Sequence, residues 1–262
     1  MHGPAVLVYE EEPGVAFLAL RRPERQNALS AEMLADLLEG LSAIQADSSL
    51  RALVITGDGP GFSPGFDPLD LADNRRAQAL VHNYVQALAA IDSLPVLTIA
   101  AVRGDCSSEA IGLAAACDLA IGAKDASFAV PDLRVGLAPV LLIPMLARRV
   151  SERAIRELVL CGRTTPADRA REMGLLTAIV DDEAALVEAA VDQAQSVSAF
   201  CPQALADWKR NLAEGPDGSL CDRLEAAAAE FLRLLAAPEA DEGFQCLQGG
   251  RRPAWHQSID SR

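Results

Sequence analysis

The sequence has no long apolar run and no Cys-x-x-Cys pair. Apolar segments such as Leu94–Val102 are broken by prolines or ended by charges, well short of the roughly 18 residues that span a bilayer. We therefore expect no transmembrane helix. Residues 1–12 lack a basic stretch followed by an apolar core and include three consecutive glutamates, which contradicts a secretory signal. The cytoplasm is the expected compartment.

Positive charge and metal-ligating side chains are also scarce. The chain has 23 Lys and Arg against 37 Asp and Glu, a formal charge of -14, which repels a phosphate backbone and argues against nucleic acid as a partner. The six cysteines are scattered, and only three histidines are available to complete a metal site. We expect reduced, mostly buried thiols and no bound metal.

Half of the 262 residues are hydrophobic, enough for a well-buried core. A strand-like segment at Val15–Leu20 is followed by a helix-like segment at Ala31–Gln45 and a second strand-like segment at Arg51–Thr56. This alternation is typical of an α/β domain. Ser30 is a candidate N-cap for the first helix. Four leucines fall on one face of that helix at helical spacing: Leu34, Leu37, Leu38 and Leu41.

The α/β pattern continues through the middle of the chain. We predict a buried strand at Val96–Val102, then a buried helix of small residues at Cys106–Cys117, and then a short strand at Leu119–Ile121. Thr165 is the predicted N-cap of a helix over residues 166–173, which Gly174 ends. From Glu183 to Ala236 the pattern is helical, and Pro202 and the turn at 215–218 divide it into three segments.

Four segments, in order and at plausible spacing, resemble the enoyl-CoA hydratase/isomerase (crotonase) family. They are Arg22-Pro23 to Asn27-Ala28-Leu29, 61–67 (Gly-Phe-Ser-Pro-Gly-Phe-Asp), Cys117-Asp118-Leu119 and Phe128 to Gly136. The resemblance spans nearly the whole chain and ends in the basic tail Arg251-Arg252-Pro253. It implies an α/β crotonase-like spiral of repeated ββα units over 1–195. It also implies a C-terminal helical oligomerisation region over 196–262, in a homotrimer or a dimer of trimers.

The resemblance implies that the protein binds an acyl-CoA thioester, with coenzyme A as part of the substrate and no separate cofactor. An oxyanion hole of two backbone N–H groups, those of Phe66 and Glu109, would hold the thioester oxygen. The loops that carry the coenzyme A and substrate contacts contain Arg25, Asn27, Ala28, Phe66, Asp67, Pro68 and Leu69.

Several positions depart from the family pattern. Phe66 stands where a small residue is usual, and 108–110 (Ser-Glu-Ala) replaces a run of glycines. The two glutamates that hydratases of the family use for proton transfer correspond here to Gly112 and Asp132. Asp132 is our first catalytic candidate, against the alternative of a carboxylate that caps a loop N–H. Glu109 is the second, against the alternative of a solvent-facing residue in a first helical turn.

Other candidates have two interpretations each. Arg25 and the tail pair Arg251-Arg252 would meet coenzyme A phosphates or be solvated charges. Asp105 and Ser107 or Ser108 would line the pocket or act as caps, and we favour caps, because small polar residues between a strand and a helix are most often caps. His82 and His256 have no triad partner in the sequence and are interpreted as surface or packing residues. Residues 138–144 would form an apolar wall or the start of a buried helix.

Two functions remain open. The first is an enzyme that uses one carboxylate and an oxyanion hole. Double-bond isomerisation fits such a site better than hydration, because one base can move a proton between two carbons. Decarboxylation or C–C cleavage of a β-keto acyl-CoA, the chemistry of a lyase, is also compatible, because the oxyanion hole supplies most of the stabilisation. The second is a catalytically impaired acyl-CoA-binding protein or partner subunit that keeps the fold while its catalytic positions have changed.

Overall fold

The structure is a computed structural model that describes residues 5–213 and 219–256. The strands are β1 Val6–Glu12, β2 Val15–Leu20, β3 Ala52–Gly57, β4 Leu97–Val102, β5 Asp105–Ser107, β6 Leu119–Ala123, β7 Ser127–Ala129, β8 Thr165–Pro166 and β9 Ala178–Val180. The helices are α1 Ala31–Ala46, α2 Pro68–Leu71, α3 Asn74–Ser93, α4 Glu109–Ala116, α5 Ile143–Arg149, α6 Glu152–Leu160, α7 Ala167–Met173, α8 Glu183–Ser196, α9 Pro202–Ala213, α10 Leu220–Leu235 and α11 Pro238–Gly249. Short 3₁₀ turns lie at Pro23–Arg25 and Asp132–Val135.

The main sheet has six strands in the order β1-β2-β3-β4-β6-β9. Only the pair β1–β2 is antiparallel, and the others run parallel. Every residue of β2 and of β4 is buried, because helices cover both faces of a parallel sheet. The predicted strand Val15–Leu20 is confirmed, and the next two predicted strands are confirmed within one residue at each end. Strand β1 was not predicted.

The segment predicted as one helix over Cys106–Cys117 is in fact a strand followed by a helix. Strand β5 pairs with β7, with Cys106 opposite Phe128, in a second sheet of order β5-β7-β8. Helix α4 then begins at Glu109. Small apolar residues suit either state, so the distant partner strand decided this boundary.

Helix α1 forms as its sequence predicts. The Ser30 hydroxyl accepts a hydrogen bond from the Met33 N–H at 3.1 Å, and Leu34, Leu37 and Leu41 are buried. The N-cap predicted for the helix at 166–173 is wrong. Thr165 pairs with Phe128 in the second sheet, and Pro166 takes the N-cap position. Gly174 ends α7 as predicted, with a left-handed φ of 89°.

The chain becomes helical from α8 onward, as predicted, and α9 begins at Pro202. Helix α8 still belongs to the core, since Leu186, Ala190 and Ala194 pack against the main sheet. The structure adds α11, beyond the predicted end at Ala236. The predicted turn at 215–218 lies outside the described residues. The division into 1–195 and 196–262 remains a prediction.

The described residues contain no helix that is both long and apolar enough to cross a membrane. Across 5–213 and 219–256, no three His, Cys, Asp or Glu side chains cluster in a way that could hold a metal ion. The cysteines are free thiols, and three are buried: Cys106, Cys117 and Cys246. Because Cys161 and Cys221 are exposed and Cys201 is intermediate, the expectation of mostly buried thiols is only half right.

Candidate active site

The loop that carries Phe66 is held against Leu29 by a parallel bridge. The Leu29 N–H donates to the Gly65 carbonyl, and the Asp67 N–H donates to the Leu29 carbonyl, both at 2.8 Å. In a parallel bridge the residue between these two contacts turns its own N–H to the opposite side. The Phe66 N–H accordingly faces away from Leu29 and donates to Oε2 of Glu109 at 3.4 Å.

Ser108 joins β5 to α4 in a strained conformation, with φ 47° and ψ −126°. A left-handed φ at a residue other than glycine costs on the order of 1–3 kcal/mol and persists only where its surroundings impose it. Here the Ser108 N–H donates to the Ala129 carbonyl at 2.9 Å, and the Ser108 hydroxyl donates to Oδ2 of Asp132 at 2.7 Å. The ψ of Ser108 orients the next peptide, whose N–H belongs to Glu109 at the open N-terminus of α4.

Glu109 is buried, with 8% of its surface exposed, which contradicts the alternative of a solvent-facing first-turn residue. Burial raises the pKa of its carboxyl group and is the largest influence. Hydrogen bonds from its own N–H and from the Phe66 N–H lower the pKa, and the nearby Asp132 raises it; the net shift is upward. One carboxylate thus contacts both N–H groups. We call the N–H groups of Phe66 and Glu109 the donor pair.

Asp132 lies at the start of the 3₁₀ turn Asp132–Val135 and is also buried, at 8% exposure. No backbone N–H of the described residues donates to its carboxylate, so the alternative of a capping carboxylate is wrong. Its partner is the hydroxyl of Ser108. Ser108 occupies the N-cap position of α4, as interpreted, but its side chain makes no capping bond to that helix. The structure therefore brings Asp132 and Glu109, the two predicted catalytic residues, to the same strained junction.

Tyr84, on the buried face of α3, is the residue at this site that the sequence analysis missed. Its hydroxyl donates to the Glu109 carbonyl at 2.9 Å, and its ring meets Phe66 edge to face with 5.1 Å between centroids. A Cβ atom at Gly112 would lie 1.9 Å from the Tyr84 hydroxyl. Helical spacing marks Tyr84 as a core residue, but no local signal connects it to α4.

Asp67 forms an ion-paired centre beside the Phe66 loop. Its buried carboxylate contacts Nη2 of Arg22 at 3.1 Å and Nη2 of Arg25 at 3.0 Å, and accepts from the Leu69 N–H at 3.0 Å. Burial alone would raise the pKa of Asp67, but the bonds from Leu69, Arg25 and Arg22 together lower it. Arg22 was missed as a partner. Four predicted binding residues, Arg25, Asp67, Pro68 and Leu69, are thus neighbours.

Asn27 is 1% exposed and has a left-handed φ of 61°. Its side-chain amide donates to the carbonyls of Asp58 at 2.7 Å and Gly61 at 3.0 Å, and its carbonyl accepts from the Arg22 N–H at 2.9 Å. Ala28 is buried beside it. The Asn27 side chain therefore holds two loops together, and its predicted contact with a ligand remains a prediction.

The remaining candidates are more peripheral. His82 is exposed on α3, in agreement with a surface role. Arg251 and Arg252 are exposed after α11. The segment 138–144 is neither a continuous apolar wall nor a buried helix start, because Leu142 is buried whereas Val140 and Ile143 are exposed.

Comparison with known proteins agrees with this architecture. The family model for enoyl-CoA hydratase/isomerase matches residues 10–258. A putative enoyl-CoA hydratase of Thermus thermophilus is 33% identical over 255 residues, which cover 94% of this chain and 99% of the relative. The mitochondrial Δ(3,5)-Δ(2,4)-dienoyl-CoA isomerase of Mus musculus is 27% identical, over 94% of this chain and 80% of its own.

Solved structures share the fold over almost the entire chain. An enoyl-CoA hydratase from Mycobacterium smegmatis superposes with a TM-score of 0.89 at 30% identity, covering 97% of this chain and all of the other. Human enoyl coenzyme A hydratase domain-containing protein 3 gives 0.89 at 25% identity, over 96% and 100%. The expected crotonase-like fold is confirmed. With its α/β spiral, its helical C-terminal region and a match from residue 10 to 258, this chain belongs to the enoyl-CoA hydratase/isomerase (crotonase) family.

Proposed function

We propose that the protein is an acyl-CoA double-bond isomerase that uses Asp132 as its single proton-transfer group and the donor pair as an oxyanion hole. The observation that carries the proposal is the Glu109 carboxylate, whose Oε2 accepts a hydrogen bond from the Phe66 N–H at 3.4 Å and which lies beside its own N–H at the start of α4. A carboxylate oxygen is a fair stand-in for an enolate oxygen, since both carry negative charge. Two N–H groups that meet on one anion have the property that an oxyanion hole requires.

The proposed reaction moves one proton. The Asp132 carboxylate takes a proton from carbon 2 of a 3-enoyl-CoA, and the electron pair of that C–H bond forms a dienolate whose charge lies on the thioester oxygen. The donor pair stabilises this oxygen. The electrons then return, carbon 4 takes the proton back from Asp132, and a 2-enoyl-CoA results. No atom is gained or lost, so one carboxylate suffices.

Ser108 supports this role for Asp132. Its hydroxyl donates to one carboxylate oxygen at 2.7 Å, which fixes the orientation of the carboxylate while the second oxygen stays available for the proton. Hydration fits less well, because it needs a second acid or base beside the substrate, whereas the second carboxylate here, Glu109, lies on the donor pair where the thioester oxygen would bind. Gly112 brings no side chain, and the space next to it is filled by Tyr84 and Leu142.

The acyl-CoA is proposed to lie over the loops that contain Arg25, Asn27, Ala28, Asp67, Pro68 and Leu69. Arg25 is 41% exposed although it is paired with Asp67, so it retains N–H donors for a phosphate. Leu69 is strongly exposed at the same edge. Coenzyme A enters as part of the substrate, and we propose no separate cofactor.

The test is a mass-spectrometric assay of the purified protein with a panel of 2-enoyl-CoA and 3-enoyl-CoA thioesters in D₂O. Turnover by the wild type, with its loss in Asp132→Asn, supports the proposal and names the reaction. Asp125→Asn, an exposed aspartate on the turn before β7, is the matched control and should retain full turnover. Isomerisation that survives in Asp132→Asn would overturn the role of Asp132.

One observation favours a second candidate, a catalytically impaired acyl-CoA-binding protein. The Glu109 carboxylate already occupies the donor pair, so a thioester oxygen must displace a charged group before any reaction begins. Tight binding of acyl-CoA, measured by calorimetric titration, together with no turnover on the whole panel would establish this candidate in place of the first.

We also propose that the protein assembles as a homotrimer or a dimer of trimers through its C-terminal helices. Helix α10 has sixteen residues and none of them is buried. Large apolar side chains, among them Trp208, Phe231 and Leu247, are more than half exposed on α9, α10 and α11. Such a surface is typical of subunit contacts. Light scattering after gel filtration tests this, and a monomeric mass at micromolar concentration would refute it.

A further inference from the structure

Tyr84 contacts both residues of the donor pair. Its hydroxyl binds the carbonyl of Glu109, in the first turn of α4, and its ring packs edge to face on Phe66. These two residues are 43 positions apart in the chain. Tyr84 comes from a third element, α3, and is fully buried between them. One rigid side chain therefore contacts both of the residues whose N–H groups form the donor pair.

The Tyr84 hydroxyl lies against Gly112 and leaves no room for a side chain at that position. A Cβ atom at Gly112 would lie 1.9 Å from the Tyr84 oxygen and 3.2 Å from its Cζ atom. Gly112 has an ordinary helical φ, so glycine is needed here for space and not for its conformation. A glycine inside a helix lowers the stability of that helix by about 1 kcal/mol relative to alanine. Helix α4 has a glycine at the point where the Tyr84 phenol packs against it.

The hydroxyl is also a permanent hydrogen-bond donor. Burial raises the pKa of Tyr84 well above its ordinary value, and the neighbouring Glu109, Cys106 and Asp132 raise it further. The phenol therefore stays protonated throughout the range in which carboxylates titrate. Its bond to the Glu109 carbonyl does not depend on the state of the carboxylates beside it.

We propose that Tyr84 is a positioning residue of the acyl-CoA site, which sets the separation and direction of the two N–H groups of the donor pair. This inference rests on the proposed function. Its hydroxyl fixes the first turn of α4, and its ring fixes the Phe66 loop. Gly112 is part of the same packing arrangement, because any side chain at that position would displace the Tyr84 hydroxyl. For the same reason position 112 cannot supply a carboxylate while Tyr84 keeps its place.

The experiment measures the stretching frequency of the bound thioester carbonyl, which reports its polarisation, by infrared difference spectroscopy with a ¹³C-labelled 2-enoyl-CoA. It is done in an Asp132→Asn background, so that the substrate is not consumed. We expect binding to shift the carbonyl band to lower frequency in the parent and the shift to be much smaller after Tyr84→Phe. Tyr9→Phe is the matched control, because Tyr9 and Tyr84 are the two tyrosines of the chain.

A double-mutant cycle separates positioning from general stability. Gly112→Ala should also reduce the band shift, because the methyl group pushes the hydroxyl away. In the Tyr84→Phe background the same alanine should have little further effect, since the oxygen is gone and the nearest ring atom lies 3.2 Å away. With Asp132 intact, Tyr84→Phe should lower kcat by about 10- to 100-fold, as small misplacements in active sites do, with KM nearly unchanged.

The outcomes differ for the two proposals. A parent protein that fails to bind acyl-CoA, or binds it without a band shift, overturns the proposed function and this inference with it. A parent with a clear band shift that is unchanged in both Tyr84→Phe and Gly112→Ala overturns the role of Tyr84 alone. A lower melting temperature without a change in the band would make Tyr84 merely a core residue.

Discussion

Glu109→Gln tests whether the carboxylate on the donor pair competes with substrate. The substitution keeps the size of the side chain and removes its charge. The contact from the Phe66 N–H to Oε2 is 3.4 Å, longer than an ordinary N–H···O bond, so it belongs at the weak end of bonds to charged groups. We take its loss as about 1 kcal/mol, which corresponds to roughly fivefold tighter binding of acyl-CoA.

The pH dependence follows from the raised pKa of Glu109. Burial is the main cause of this shift, and the charge of Asp132 adds to it. Above that pKa the carboxylate is ionised and competes for the donor pair; as the pH falls through the pKa, the group becomes neutral and competes less. Wild-type affinity should therefore increase toward lower pH. The Gln variant should lack this dependence, because it has no ionisable group at the donor pair.

The assay is calorimetric titration of a non-reacting acyl-CoA into each protein at a series of pH values that runs from acidic to slightly alkaline. Glu188→Gln, an exposed glutamate on α8, is the control and should bind as the wild type does. An affinity in Glu109→Gln that equals or falls below that of the wild type at the upper end of this range would refute the reasoning. It would mean that Glu109 helps to bind the thioester.

Three further predictions concern bonds that hold the site and the fold. Ser108→Ala removes the hydroxyl bound to Asp132 and should lower the free energy of unfolding by about 1 kcal/mol, measured in urea, and reduce turnover. Lys209→Met removes a buried ammonium group that is bound to Asp118 at 2.6 Å. Because Asp118 is partly exposed, we expect the free energy of unfolding to fall by about 2 kcal/mol, which is less than for a fully buried pair. An unchanged melting curve would contradict either prediction. The pKa of Asp67 is lower in the folded than in the unfolded protein, because the effect of its hydrogen bonds outweighs that of burial. The carboxylate therefore stabilises the fold at pH values above its unfolded pKa, and this stabilisation is lost as the pH falls through its folded pKa. Asp67→Asn should therefore lose most stability near neutral pH and little in acid, and a constant loss at all pH values would contradict this.

The sequence alone determined what depends on neighbouring residues or on ordered motifs. Ser30 caps α1, and Gly174 ends α7, because caps and left-handed turns are local requirements. The motif order was enough to place Phe66, Glu109 and Asp132 in one predicted site, and the structure brings these three residues together.

Only the tertiary structure decided the contacts that orient this site. Ser108 bonds Asp132 across 24 residues, and Tyr84 bonds Glu109 across 25. The same holds for β5, which pairs with a strand formed later in the chain and so shortens the predicted helix. Propensity and periodicity describe a residue and its near neighbours, whereas these bonds exist because the folded chain brings distant backbone and side-chain groups within about 3 Å. The residue types were visible in the sequence, but their distances and directions came from packing.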